Sequence, residues 1–144
     1  MYRKAFFEGS RAYGKAKKID DIMIRVQDRL FYVDEKISDV SNFFNALCSE
    51  RWDNGNELSI CIEDPDIFEV CMDFVHAKNF FRLTPENVFD VYVAADYLLF
   101  PELVNKCSEC IVDNIICNNH SVEDVLEFAK YFNDNNLQTK CIKV

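Results

Sequence analysis

Ala94-Ala95-Asp96-Tyr97-Leu98-Leu99-Phe100-Pro101-Glu102-Leu103 closes one helix and opens the next. Proline lacks a backbone N–H and fixes φ, so Pro101 cannot prolong a helix but suits the first turn of a new one. On its N-terminal side Val88, Val91, Tyr92, Ala95, Leu98 and Leu99 recur at helical spacing and form one apolar stripe. Thr84-Pro85 would cap and open that helix. On the C-terminal side Leu103, Cys107, Cys110, Ile111 and Ile115 make a second stripe. Two amphipathic helices joined by a sharp break are therefore expected at the centre of the fold.

Toward the N-terminus the pattern changes. Ile22-Met23-Ile24-Arg25-Val26 and Leu30-Phe31-Tyr32-Val33 read as strands joined at Gln27-Asp28-Arg29, a hairpin. Residues 34–47 then read as one helix, with Ile37, Val40, Phe43, Phe44 and Leu47 on a common face. A third strand is expected at 58–62. Asp64-Pro65 opens a helix with Phe68, Cys71, Met72 and Val75 inward, and Phe80-Phe81-Arg82-Leu83 reads as a short strand. Beyond the second central helix, Ser121-x-x-Asp124 has the form of a capping box before Val122, Val125, Leu126, Ala129 and Phe132. A last helix begins near Leu137. The expected fold class is α+β: a small N-terminal sheet with a cluster of about six helices.

Composition excludes several functions. The 144 residues suit one domain, and with 49% hydrophobic and 14% aromatic residues they can fill a core. No stretch is long and apolar enough to cross a membrane, and the first residues lack a signal-peptide core, so the chain reads as cytoplasmic, with the nucleus as the other setting. The net charge of −9 is uneven: residues 1–18 hold six basic residues against Glu8, or +5, leaving −14 elsewhere. An acidic body is a poor partner for nucleic acid. Seven cysteines in such a setting read as free thiols.

Catalytic chemistry has little to build on. His76 closes an apolar helix and suits the helix dipole better than proton transfer. There is no glycine-rich loop for phosphate. Cys107, Cys110, Cys117 and His120 are zinc-type residues, but Cys107 and Cys110 also belong to a core stripe, and that reading is preferred. No metal, no cofactor and no enzymatic activity are expected.

The stretch 94–103 resembles the most recognisable segment of the BTB/POZ family. Asp21-Ile22-Met23-Ile24 is similar to the family's first strand, and 41–47 (Ser-Asn-Phe-Phe-Asn-Ala-Leu) to its Ser-x-Tyr/Phe-Phe-x-x-Leu helix. Residues 68–74, followed by Leu83-Thr84-Pro85-Glu86-Asn87-Val88, agree in order and spacing. The resemblance covers residues 19–116. It implies a basic segment at 1–18 able to supply a helix that swaps across a dimer, and the start of the 3-box or BACK helices at 117–144.

What the resemblance implies about function is protein binding: a homodimer linking an as yet unknown substrate protein to a cullin-3 ubiquitin ligase. The family's hydrophobic-x-Glu cullin element falls on Trp52-Asp53-Asn54, with Asn54 where Glu is usual. Tyr97 and Phe100 would lie near the same face. Phe6, Phe7, Tyr13, Asp21, Asp34 and Glu35 are the corresponding dimer candidates, although Asp34-Glu35 replaces the usual His-Arg. That departure also resembles Skp-type and elongin-type monomeric linkers and poxviral BTB–kelch proteins, the last implying a role between virus and host. A BTB scaffold that binds no cullin is the remaining alternative.

Overall fold

A computed structural model describes residues 22–49 and 57–143 of the chain. The expected hairpin is present. Strand β1 (Ile22–Val26) pairs antiparallel with β2 (Arg29–Val33), Ile24 facing Phe31. Ile22, Ile24 and Val26 are buried while Met23 and Arg25 are half-buried, the alternation expected of a strand with one face on the core. Gln27 takes a left-handed φ of 55° to make the turn. Strand β3 (Glu57–Ser59) lies parallel to β1 on its other side, giving the order β2-β1-β3. It is shorter than the 58–62 expected; the chain leaves the ladder after Ile60, whose N–H still reaches Arg25.

Residues 34–47 do not form one helix. A 3₁₀ turn (Glu35–Asp39) comes first, then α1 (Asn42–Ser49). Ser41 makes the break. Its hydroxyl donates to the Leu98 carbonyl at 2.6 Å and accepts the Phe44 N–H at 3.3 Å, while the Asn42 N–H reaches the Leu99 carbonyl at 3.1 Å. The start of α1 is thus tied to the break before Pro101 by bonds that a continuous helix would forgo.

The remaining helices are α2 (Pro65–His76), α3 (Val88–Tyr97), α4 (Pro101–Ile116), α5 (Val122–Tyr131) and α6 (Asn135–Lys143). Asp64 caps α2 with Pro65 in its first turn, and Ser121 caps α5 through the Asp124 N–H, both as expected. Two expectations fail. Residues 80–83 lie outside the β-ladders, and α3 starts at Val88, three residues after Pro85. There Thr84 and Asn87 bond reciprocally, each side-chain oxygen accepting the other's N–H, which makes a closed turn before the helix. The core runs from the sheet (Ile24, Val26, Phe31) through α2 (Phe68, Met72) to α3 and α4 (Val91, Leu98, Leu103, Ile111) and on to Val125, Leu137 and Cys141.

Candidate functional site

Among the described residues, the break between α3 and α4 carries the most unusual backbone. Helices α3, α4 and α5 end alike: a residue with left-handed φ, then an N–H reaching back five residues, Phe100 to Ala95, Asn119 to Asn114 and Asp134 to Ala129. The left-handed residue is Asn118 after α4 and Asn133 after α5, a type that tolerates the conformation. After α3 it is Leu99, at φ 51°. Leu99 was expected on the inner stripe; the left-handed turn swings it out, and it is 53% exposed. Tyr97 is also exposed, and its ring leans on that of Phe43 at 5.5 Å. Together they form an apolar ridge at the end of α3. A hollow of about 300 Å³ beside it is lined by Asn42, Leu99, Pro101, Val104 and Asn105 among others. Leu99 and Phe43 are the residues that sequence reasoning missed here; the only signal for Leu99 was its place one residue before Phe100-Pro101, where a helix must already have ended.

Phe100 presents almost no surface. It is 1% exposed and packs edge-on against Phe74 at 5.6 Å, so it supports the ridge from beneath rather than forming part of it. Asp34 is exposed, but its carboxylate accepts the Lys36 N–H and caps the 3₁₀ turn. Glu35 starts that turn. Trp52, Asp53 and Asn54, like Phe6, Phe7, Tyr13 and Asp21, lie outside the described residues.

On the other side of Tyr97 runs a groove of about 580 Å³ between α3 and the residues that follow β3. Ile62, Ile67, Val93 and Ala94 supply its apolar lining, and Glu63, Asp64 and Asp90 its charge. The Cys61 N–H turns toward Tyr97 and meets its hydroxyl at 3.4 Å.

Inside the molecule α2 buries two carboxylates one turn apart, Glu69 and Asp73. Arg29 spans Asp66 at 2.8 Å and Glu69 at 3.5 Å. Burial, then the charge of Asp73, pushes the Glu69 carboxyl up to about 12. Burial also lowers His76 to about 4, helped by the nearby Lys36 charge. Cys107 is buried, and its thiol is pushed up to about 12 by burial and then by Cys110. Cys110 accepts a bond from Asn114, Cys117 is exposed, and His120 stands edge-on to Phe89 at 4.8 Å. Among the described residues no group of three or more His, Cys, Asp or Glu is placed to hold a metal.

The C-terminal helices are fastened to α3. Tyr92 donates to the Asp134 carboxylate at 2.6 Å, and the other Asp134 oxygen caps α6 through the Leu137 N–H. Around this bond Phe89, Tyr92, Phe128 and Phe132 stack at centroid distances of 4.9 to 5.4 Å.

Comparison with known proteins agrees with this architecture. The family model of the BTB/POZ domain matches residues 12–115. Among solved structures, the BTB domain of zebrafish PATZ1 superposes with a TM-score of 0.56 at 22% identity, over 65% of this chain and 76% of that one, a likeness of fold. No curated protein matches the sequence.

Proposed function

The chain belongs to the BTB/POZ family, a fold of protein–protein interaction, and from that premise we propose that it is a homodimerising adaptor that links a substrate protein to a cullin-3 ubiquitin ligase. The observation that carries this reading is the exposed ridge of Tyr97 and Leu99. A large apolar side chain is held outward by a backbone conformation that disfavours it, and such conformations cluster at binding sites. The ridge adjoins the start of α1, and the Trp52-Asp53-Asn54 segment follows the end of the same helix. We read these as one cullin face, with Trp52 as its anchor. Residues 1–18 would complete the dimer with Phe6, Phe7, Tyr13, Asp21, Asp34 and Glu35. Residues 117–144, fastened by Tyr92 and Asp134, would be the start of the 3-box.

The mechanism is geometric: one face holds the ligase, a further region holds the substrate, and two copies multiply the contacts. No catalytic residue is needed. The setting is cytoplasmic, and the resemblance to poxviral relatives suggests the capture of host ligases. One observation favours a second reading, a BTB scaffold without cullin: Asn54 stands where a glutamate acceptor is usual. Calorimetric titration of the chain with the N-terminal domain of cullin-3, beside a Trp52→Ala variant, separates the two. Binding that the variant loses supports the adaptor, and no binding by the parent chain leaves the scaffold.

A further inference from the structure

From the groove between α3 and residues 61–64 we infer a second docking site, one that takes an extended peptide with basic residues at its ends and β-branched or apolar residues between them. Three observations carry it. The first is charge: Glu63, Asp64 and Asp90 line the groove, and among the described residues no Lys or Arg does. Anionic walls around an apolar floor favour a cationic partner and steer its approach. The second is shape. Asp90 and Tyr97 are seven residues apart on α3, or about 10 Å at 1.5 Å per residue. Cys61 to Asp64 spans at most about 10 Å, the chain bending at Glu63. Tyr97 meets Cys61 at one end, and both walls line the groove over about the length of two or three extended residues.

The third observation is backbone direction. Among the described residues the sheet order places β3 at an edge. The Ile60 N–H points inward to Arg25, and the Ile62 carbonyl is taken by the Gln27 side chain, which comes from the β1–β2 turn. Alternation then turns the Cys61 N–H outward into the groove. There it meets only a 3.4 Å contact with the Tyr97 hydroxyl among the described residues, long for a neutral hydrogen bond. An edge with outward N–H and C=O groups is a template for an added strand. The occupant is therefore read as extended rather than helical, held by main-chain bonds along 61–63, with its apolar side chains over Ile62, Val93 and Ala94 and its basic ends at Glu63 and Asp90.

The test uses the full chain and a fluorescein-labelled synthetic peptide, Lys-Arg-Val-Leu-Val-Arg-Lys, with a counterpart in which glutamate replaces each basic residue. Anisotropy should show saturable binding of the basic peptide that weakens with added salt, and at least about tenfold weaker binding of the acidic one. A Glu63→Lys/Asp90→Lys double variant should lose at least about tenfold in affinity, whereas Trp52→Ala should leave it unchanged, so that failure of the cullin reading and failure of this one are told apart. Amide NMR shifts in the parent chain should move at residues 61–64 and 90–97 whether or not the double variant folds. Equal binding by the double variant, or shifts confined to other residues, would overturn the proposal. So would a tenfold gain in peptide affinity on changing Arg3, Lys4 and Arg11 to Gln, because the chain's own basic segment would then be the occupant.

Discussion

Glu69 is a carboxyl group in the wrong solvent, and its consequence is a stability that depends on pH. It is 4% exposed, one helical turn from the buried Asp73, and its pKa rises from 4.5 to about 12. The folded chain therefore keeps a proton that the unfolded chain gives up above pH 4.5. Stability from this group is complete below that pH and falls as pH rises. His76 works in the opposite sense. Lowered from 6.5 to about 4, it favours the folded state fully above pH 6.5 and loses that effect as pH falls toward 4. Between 4.5 and 6.5 the two slopes oppose, and above 6.5 only that of Glu69 remains. Glu69→Gln should then raise unfolding stability at pH 7 by up to about 3 kcal/mol and leave it unchanged at pH 4. Urea melts at the two pH values check this, and an equal change at both would show that Glu69 is not the source. Leu99 makes the other prediction at this scale. A left-handed leucine costs about 1–2 kcal/mol, and glycine relieves that cost but adds about 1 kcal/mol of backbone entropy. Leu99→Gly should therefore stay within about 1 kcal/mol of the parent in stability while losing roughly tenfold in affinity for a cullin partner. Parallel losses in melting and titration would mean that Leu99 serves the fold instead. The exposure of Leu99 was hidden in the sequence because its spacing continues the stripe of α3; only the turn geometry before Pro101 removes it from the core.

At the scale of elements, the strands and helices with local signals were legible. A β-branched apolar run marked β1, Asp64-Pro65 marked α2, Pro101 marked α4 and Ser121 marked α5. The elements that depend on distant partners were not. The apolar spacing of 37–47 looks continuous, yet Ser41 spends its hydrogen bonds on Leu98, 57 residues away, and the helix divides there. Phe80 and Phe81 have strand-like side chains, but these residues pair with no strand among the described residues; Phe81 stacks on Phe74 at 5.0 Å. The join between α3 and the C-terminal helices was likewise invisible, because Tyr92 and Asp134 are 42 positions apart. It can be tested alone. Tyr92→Phe keeps the ring in its aromatic cluster and removes one bond to a carboxylate, which should cost about 1.5–3 kcal/mol. Hydrogen exchange should quicken in α5 and α6 and stay unchanged in the β1–β2 hairpin. Uniform quickening across the chain would mean that the C-terminal helices do not open as a unit.

For the whole molecule, the sequence conveyed the fold through four ordered motifs, and the family match over residues 12–115 agrees. It conveyed the working surface less well. Composition and spacing do not distinguish Phe100, which is buried, from Leu99, which is exposed, and the acidic groove is assembled from residues about thirty positions apart. Charge at this scale favours protein partners: a chain of net −9, with +5 concentrated in its first 18 residues and −14 in the remainder, is on the whole a poor partner for polyanions. The adaptor account is tested most directly by titrating the full chain with the cullin-3 N-terminal domain and reading both affinity and stoichiometry. The account expects one cullin domain per chain, submicromolar affinity, and loss of the heat signal in Trp52→Ala. Absence of heat and of complex with the unmutated chain would contradict it.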